Sequence, residues 1–222
     1  MPQIGNMSKW ISALDKVDKT LARRLKTQKL EDYERLKATG LPIFADFSCP
    51  YLEFTRQNQD LLDFLEKYQG FIIRAIPNKK GNRKHKIGVK TYEDCLSFLK
   101  QATQSPDYTI LLTEHEPTCK SGIVFLDLIT RIEVGNMSLS SLEHGKGKPF
   151  QGRFYHPSPS EFRTLGFNTQ NKRHNKLEMQ NLMLKALNEI ARSQLEKGYL
   201  EFVVTKKGKI RFLDYKINPA YS

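Results

Sequence analysis

The sequence is short of cysteine, of tryptophan, of long apolar runs and of acid. Three cysteines (Cys49, Cys95, Cys119) stand among 222 residues. The count is odd, with no CxxC pair and no histidine at metal-ligand spacing. That excludes a disulfide scaffold and a zinc finger, and it predicts reduced thiols in a cytoplasmic protein. No apolar run approaches the roughly 18 residues of a membrane span. The opening MPQIGNMSKWISALDK lacks the apolar stretch of a secretory signal, so none is expected. No internal repeat and no low-complexity linker interrupts the chain.

Acid is scarce enough to matter. Thirty-six Lys and Arg face 24 Asp and Glu, a formal net charge of +12. The excess is uneven: it gathers in 71–100 and in 146–222, while 41–70 and 101–145 are acidic. Asn78-Lys79-Lys80-Gly81-Asn82-Arg83-Lys84-His85-Lys86 carries no acid at all. Concentrated positive potential favours a phosphate-bearing partner (nucleotide, nucleic acid or anionic metabolite), although a solvated basic surface looks the same in sequence. At 39% hydrophobic and 10% aromatic, the chain has the composition of a globular protein with a real core. By the rough 150-residue rule it makes one large domain or two small ones.

Periodicity supplies the elements. Trp10, Leu14, Val17, Leu21 and Leu25 recur at three and four, predicting a basic helical segment over 1–40 that Gly40-Leu41-Pro42 stops. Strands and helices alternate after it. Phe71–Pro77 (FIIRAIP) reads as a β-branched strand, Tyr92–Ala102 as a short amphipathic helix and Tyr108–Thr113 as a strand closed by Glu114-His115-Glu116-Pro117. Gly122–Val134 is β-rich with a break near Asp127. Residues 144–176 are the least regular and predict a long functional loop or lid. Lys176–Lys197 predicts a helix with an apolar stripe of Leu177, Met183, Leu184, Leu187, Ile190, Ala191 and Leu195.

The terminal segment is the most informative. Two β-rich runs, Tyr199–Val204 and Ile210–Ile217, flank Thr205-Lys206-Lys207-Gly208-Lys209, where Gly208 supplies the positive φ of a tight hairpin. A loop centred on Lys207-Gly208 pairs Thr205 with Ile210, Val203 with Phe212 and Glu201 with Asp214. Directly opposed residues hold their Cβ atoms about 4.5–5.5 Å apart, and like charges so placed destabilise the pair unless something compensates. A divalent cation such as Mg²⁺, with its preference for hard oxygen ligands, is one compensator; Lys216 or Lys209 is another. A three-residue loop would shift the register and undo the pairing.

With these segments in order, the chain resembles an ATP-grasp protein over roughly 30–222. Leu36–Pro42 looks like that family's helix end and GLP entry. FIIRAIP is similar to its strand bearing a phosphate ligand, with Arg74 at the basic position. Asn78–Gly88 takes the place of the glycine-rich phosphate loop, including Lys79, Lys80 and Gly81. ILLTEHEP (Ile110–Pro117) looks like the strand and hinge facing the adenine, with Glu114 and His115. LEFVVTKKGKIRFLDYKINP (Leu200–Pro219) is similar to the closing hairpin. The resemblance implies Glu201 and Asp214 as Mg²⁺ ligands, joined by Asn218, because the usual asparagine two residues after the second acid is here Lys216. The phosphate loop also has one glycine fewer than usual, and the family's N-terminal substrate domain is missing.

The resemblance implies an α+β fold of two lobes with antiparallel sheets enclosing a nucleotide cleft: a smaller lobe over 41–120 and a larger one over 121–222. It implies a cytoplasmic, ATP- and Mg²⁺-dependent carboxylate ligase or phosphotransferase acting on an anionic acceptor, alone, as a homodimer or with a partner chain. Arg153, His156, Arg173 and His174 are candidates to hold that acceptor, and Lys216 is a candidate catalytic group. Two alternatives are open on the residues alone. Glu201, Asp214 and Lys216 also match the acid, then D/E-x-K, order of a metal-dependent nuclease. The basic 79–90 stretch with Phe150, Phe154 and Tyr155 would suit a nucleic-acid-binding module.

Overall fold

The computed structural model describes residues 29–78, 84–103, 106–143, 148–169, 175–195 and 197–217. They form an α+β fold of two compact units, each built on an antiparallel sheet. One unit spans Phe44–Pro117; the other joins the segment up to Ile43 with everything from Thr118 onward. The chain therefore crosses between units at Ile43–Phe44 and at Pro117–Thr118.

The smaller unit carries four strands: β1 (Asp46–Pro50), β2 (Phe71–Pro77), β3 (Lys84–Val89) and β4 (Tyr108–Glu114), in the order β1-β4-β2-β3. In chain order the helices are α1 (Lys29–Ala38), which belongs to the other unit, and then α2 (Tyr51–Thr55), α3 (Gln59–Lys67) and α4 (Tyr92–Ala102) of this one. Helix α4 begins where the sequence places it because Thr91 and Asp94 cap each other in a reciprocal box, satisfying two otherwise orphaned N–H groups. The two backbone N–H donors, from Lys90 and Thr91, hold the Asp94 carboxyl below its ordinary range. Phe71, Ile73 and Ala75 of β2 alternate inward onto Phe54, Leu61, Cys95 and Leu99, leaving Ile72 and Arg74 on the other face.

The larger unit is a six-stranded sheet in the order β10-β9-β5-β6-β7-β8, comprising β5 (Thr118–Leu126), β6 (Ile129–Gly135), β7 (Phe150–Ser158), β8 (Glu161–Thr169), β9 (Gly198–Thr205) and β10 (Ile210–Lys216). Two further helices belong to it, α5 (Leu139–Glu143) and α6 (Lys176–Arg192). The break near Asp127 is a tight turn in which Thr130 Oγ1 donates to the Asp127 carbonyl at 2.9 Å. One face of the sheet packs on α6 through Val124, Ile132, Phe150, Phe154, Leu200, Phe202 and Phe212. Leu36 of α1 and Leu41 join that core, and the Phe212 N–H donates to the Pro42 carbonyl at 2.8 Å.

Two sequence expectations are corrected here. The irregular stretch is no lid over most of its length: 150–158 and 161–169 are paired strands. Pro157 concealed them, and it is tolerated because it sits where the register slips between Tyr155 and Ser158, at a bulge that needs no ladder donor. The apolar stripe of α6 is also rotated. Met179, Met183, Ala186, Leu187 and Ile190 are buried, whereas Leu177 is 67% exposed and Leu184 40%. The helix offers two apolar ridges, and the sheet takes the wider one.

Two outcomes follow for stability. A Cβ on Gly122 would lie 2.2 Å from the Phe202 ring. Gly122→Ala should therefore cost about 1–3 kcal/mol through overpacking, read as a lower urea midpoint, and Phe202→Leu in the same chain should recover part of it. Burial pushes the Cys95 thiol up to about 12 and, with nearby Glu53, the Cys49 thiol up to about 11. Both hold their protons more tightly folded than unfolded. Their contribution to stability is full below the ordinary value of 9.0 and is lost as pH rises from there toward those raised values. Urea midpoints measured across that window should fall, and fall less in Cys95→Ala.

Candidate functional site

The closing hairpin holds the two acids by a device that alternation alone does not reveal. At the turn, Thr205 N–H donates to the Lys209 carbonyl at 2.9 Å and Gly208 N–H to the Thr205 carbonyl at 2.8 Å. Gly208 has φ +74°. This is a three-residue loop, Lys206–Gly208, with a glycine in the left-handed region. It sets Ile210 opposite Val204, Arg211 opposite Val203 and Phe212 opposite Phe202. The expected pairs Thr205–Ile210 and Val203–Phe212 are thus displaced by one residue.

Glu201 nevertheless faces Asp214, because the register shifts between Phe212 and Asp214. Leu213 is the extra residue of a β-bulge. In an unbulged strand Phe212 and Asp214, two apart, would share a face. The bulge lets Phe212 enter the core and turns Asp214 to the opposite face, beside Glu201. The two one-residue slips cancel at the acids.

Around them the geometry is specific. Glu201 is 7% exposed. Lys216 Nζ lies 2.9 Å from Asp214 Oδ2, with side-chain exposures of 16% and 14%, and 5.7 Å from the centroid of the Tyr199 ring. An ammonium thus compensates part of the negative charge that the opposed carboxylates bring together. Among the described residues there is no group of three or more His, Cys, Asp and Glu that could hold a metal. The protein's own offering is two carboxylates. Two carboxylates fit Mg²⁺, which keeps water and substrate phosphates in its remaining positions, better than a metal needing an all-protein cage.

The other candidates fall in several places. Arg74 is half-buried on β2, and its Nη1 donates to Thr113 Oγ1 at 2.8 Å. Glu114 ends β4 and accepts from the Ala45 N–H at 3.4 Å; His115 is exposed, with its N–H donating to the Gly70 carbonyl at 2.9 Å. These three belong to the smaller unit, and Glu201, Asp214 and Lys216 to the larger. Lys79, Lys80, Gly81, Arg173, His174 and Asn218 lie outside the described residues.

Arg153 and His156 are not brought together. Arg153 is exposed on the face that carries Glu201 and Asp214, whereas His156 is 6% exposed and stacks on Phe162 at 4.3 Å on the core side of β7. Phe150 and Phe154 are buried in the core and present no ring for stacking a base. Sequence reasoning missed Glu133. It is 4% exposed, opposite Ile123, which in turn lies opposite Glu201. Its signal was a lone acid inside a β-branched run.

No protein-family model and no curated protein sequence matches the chain. Solved structures do resemble it. The D-alanine–D-alanine ligase of Bacillus anthracis, complexed with ATP, is 14% identical over 88% of this chain and 57% of that one, with a TM-score of 0.44. The N5-carboxyaminoimidazole synthetase of Staphylococcus aureus, complexed with ADP, is 12% identical over 84% of this chain and 42% of that one, TM-score 0.44. The ATP-grasp ligase PsnB, complexed with a minimal precursor, is 10% identical over 87% of this chain and 52% of that one, TM-score 0.41. The chain spans about half the length of these proteins.

The Lys216 ion pair makes a direct prediction. Lys216→Met removes the ammonium paired with Asp214 and should cost about 2–3 kcal/mol, below the 3–5 of a fully buried pair. Adding Asp214→Asn should recover much of that loss in a double-mutant cycle by chemical denaturation.

Proposed function

We propose that this chain is an ATP- and Mg²⁺-dependent enzyme of ATP-grasp type, a carboxylate ligase or phosphotransferase. One observation carries the reading: a β-bulge sets Glu201 and Asp214 side by side on the sheet face turned away from the core. A fold has no packing reason to hold two carboxylates there, while a nucleotide's magnesium gives one. The order of the parts supports it as well. A four-stranded unit with Arg74 on its second strand comes first, then the crossing after Glu114-His115-Glu116-Pro117, then a larger sheet whose last hairpin holds the acids.

In this reading Arg74, braced by Thr113, contributes a fixed guanidinium to the phosphates, where planar bidentate donors bind best. Glu114, His115 and the neighbouring backbone meet the base, and Lys79, Lys80 and Gly81 supply cations and backbone donors for the phosphates. Glu201 and Asp214 hold Mg²⁺, with Asn218 as a third ligand. When bound, ATP would supply the phosphoryl group that activates an acceptor carboxylate, with ADP leaving, and Mg²⁺ held by Glu201 and Asp214 would offset the charge that moves. The chain's own task is to position the reactants and to present fixed dipoles and charges. Lys216 orients Asp214 when no metal is bound, and it competes with the metal for that carboxylate. Arg153 serves the acceptor; His156, stacked against Phe162 on the core side, shapes the strand that carries Arg153.

Thermal unfolding with ATP, with and without Mg²⁺, tests the reading. At about 100 times its Kd a ligand adds roughly 2.7 kcal/mol, enough for a clear rise in Tm. The rise should require Mg²⁺ and vanish in Glu201→Gln/Asp214→Asn. Lys216→Asn should lower the Mg²⁺ concentration needed for it, since a competing cation is removed. A wild-type protein whose Tm ignores millimolar Mg²⁺-ATP would sink the assignment.

A further inference from the structure

The sheet register places two arginines directly against each other. Arg131 of β6 lies opposite Arg153 of β7. Arg131 also lies opposite Phe125, Phe125 opposite Tyr199, and Tyr199 opposite Lys216. One row thus runs Lys216, Tyr199, Phe125, Arg131, Arg153 across five strands. The next row runs Asp214, Glu201, Ile123, Glu133, Gln151. Every member of one row is two residues along its strand from a member of the other, so both rows share a face. That face is opposite the α6 core, since Ile132, Phe154, Leu200 and Phe212 point the other way.

Two like charges directly opposed across strands are destabilising. Elsewhere on this face the same problem has an internal answer: Lys216 meets Asp214. The arginines have no such answer. Among the described residues neither guanidinium has an ion-pair or hydrogen-bond partner. The obvious neighbouring acid is engaged otherwise, for Glu133 Oε1 accepts from Gln151 Nε2 at 2.9 Å. Arg131 is half-buried and Arg153 exposed, so the pair is open to solvent from one side.

We propose that Arg131 and Arg153 form an oxyanion-binding subsite that takes the carboxylate or phosphate of the acceptor substrate. Two planar guanidiniums about 5 Å apart at their origins present paired N–H donors to one oxyanion, the geometry in which arginine binds carboxylate and phosphate bidentately. An oxyanion between them offsets the repulsion of the two opposed cations. The subsite itself rests on the register alone; its service to an acceptor rests on the ligase reading above. Between β9, which carries Glu201, and β6 lie two strand spacings, about 10 Å. An acceptor anchored at the arginines while reacting near the acids is therefore elongated.

The test titrates inorganic phosphate and, separately, glutarate into the full chain at low ionic strength, with binding followed by calorimetry. Wild type, Arg131→Gln, Arg153→Gln and Glu201→Gln/Asp214→Asn are compared. Saturable binding of at least one anion is expected, weakened about tenfold or more in either arginine variant, as loss of a charge-assisted bond implies. Phosphate without glutarate marks a phosphate-bearing acceptor; glutarate without phosphate marks a carboxylate. Should Arg131→Gln fail to fold, the exposed Arg153→Gln carries the comparison alone. No saturable binding, or wild-type affinity in the arginine variants, overturns the proposal. Whichever anion binds, the double acid variant should retain it. If oxyanion binding holds while Mg²⁺-ATP gives no stabilisation, the subsite stands and the ligase reading falls.

Discussion

The register of the closing hairpin is the constraint on which the candidate site depends. A strand's side chains alternate, so a slip of one residue carries a whole set to the other face. The three-residue loop at Gly208 makes one such slip and the bulge at Leu213 reverses it. Between the two slips, Phe202, Val204, Ile210 and Phe212 are packed in the core. Beyond the second, the acids and Lys216 stand on the far face. Packing and polar chemistry are separated within a few residues of one strand because the bulge divides them.

The same separation organises the larger unit as a whole. Helix α6 covers one face of the six-stranded sheet with a continuous apolar core. The other face carries the charged and polar residues in rows: acids and glutamine in one, and lysine, aromatic rings and arginines in the next. A small apolar cluster of Ile123 and Leu142, with Phe125, Met137, Leu139 and Tyr199 against it, lies on this same face. Because every strand in the sheet is antiparallel to its neighbours, charges far apart in sequence are held at fixed multiples of the strand spacing. Arg131 and Arg153 come from different strands, yet a side chain on one cannot drift from the other without breaking the ladder.

Much of this was legible from residue order. Phe71–Pro77 and Tyr92–Ala102 follow directly from a β-branched run and a capped amphipathic stretch, since their signals are local. The opposition of Glu201 and Asp214 was also legible, though by a route that is wrong in detail: uniform pairing gives the right partners at the acids and the wrong ones near the turn. A bulge leaves no mark on alternation when Leu213 is apolar like its neighbours. The β7–β8 hairpin was hidden by Pro157 and by glycines that read as loop. The α6 stripe was ambiguous because Leu177 and Leu184 compete with Met179 and Ala186, and only the sheet decides between them. Glu133 and the arginine pair needed the strand order β5-β6-β7 before their positions meant anything.

The two crossings between units have a consequence for how the chain is made. Residues 44–117 form a self-contained insertion, whereas the sheet around it is assembled from sequence on both sides. On a ribosome the inserted unit has all its strands as soon as β4 emerges, and it can fold while synthesis continues, as complete domains do. The larger unit cannot. Its edge strand β10 is the last described element, and α1, Leu41 and Pro42 lie against or near that strand. Helix α1 must therefore wait, with Leu36 unburied, until β10 has been made to complete its packing. Contacts of such long sequence separation slow the final closure, so an arrested or truncated chain would hold a finished small unit beside an unfinished sheet with an open edge.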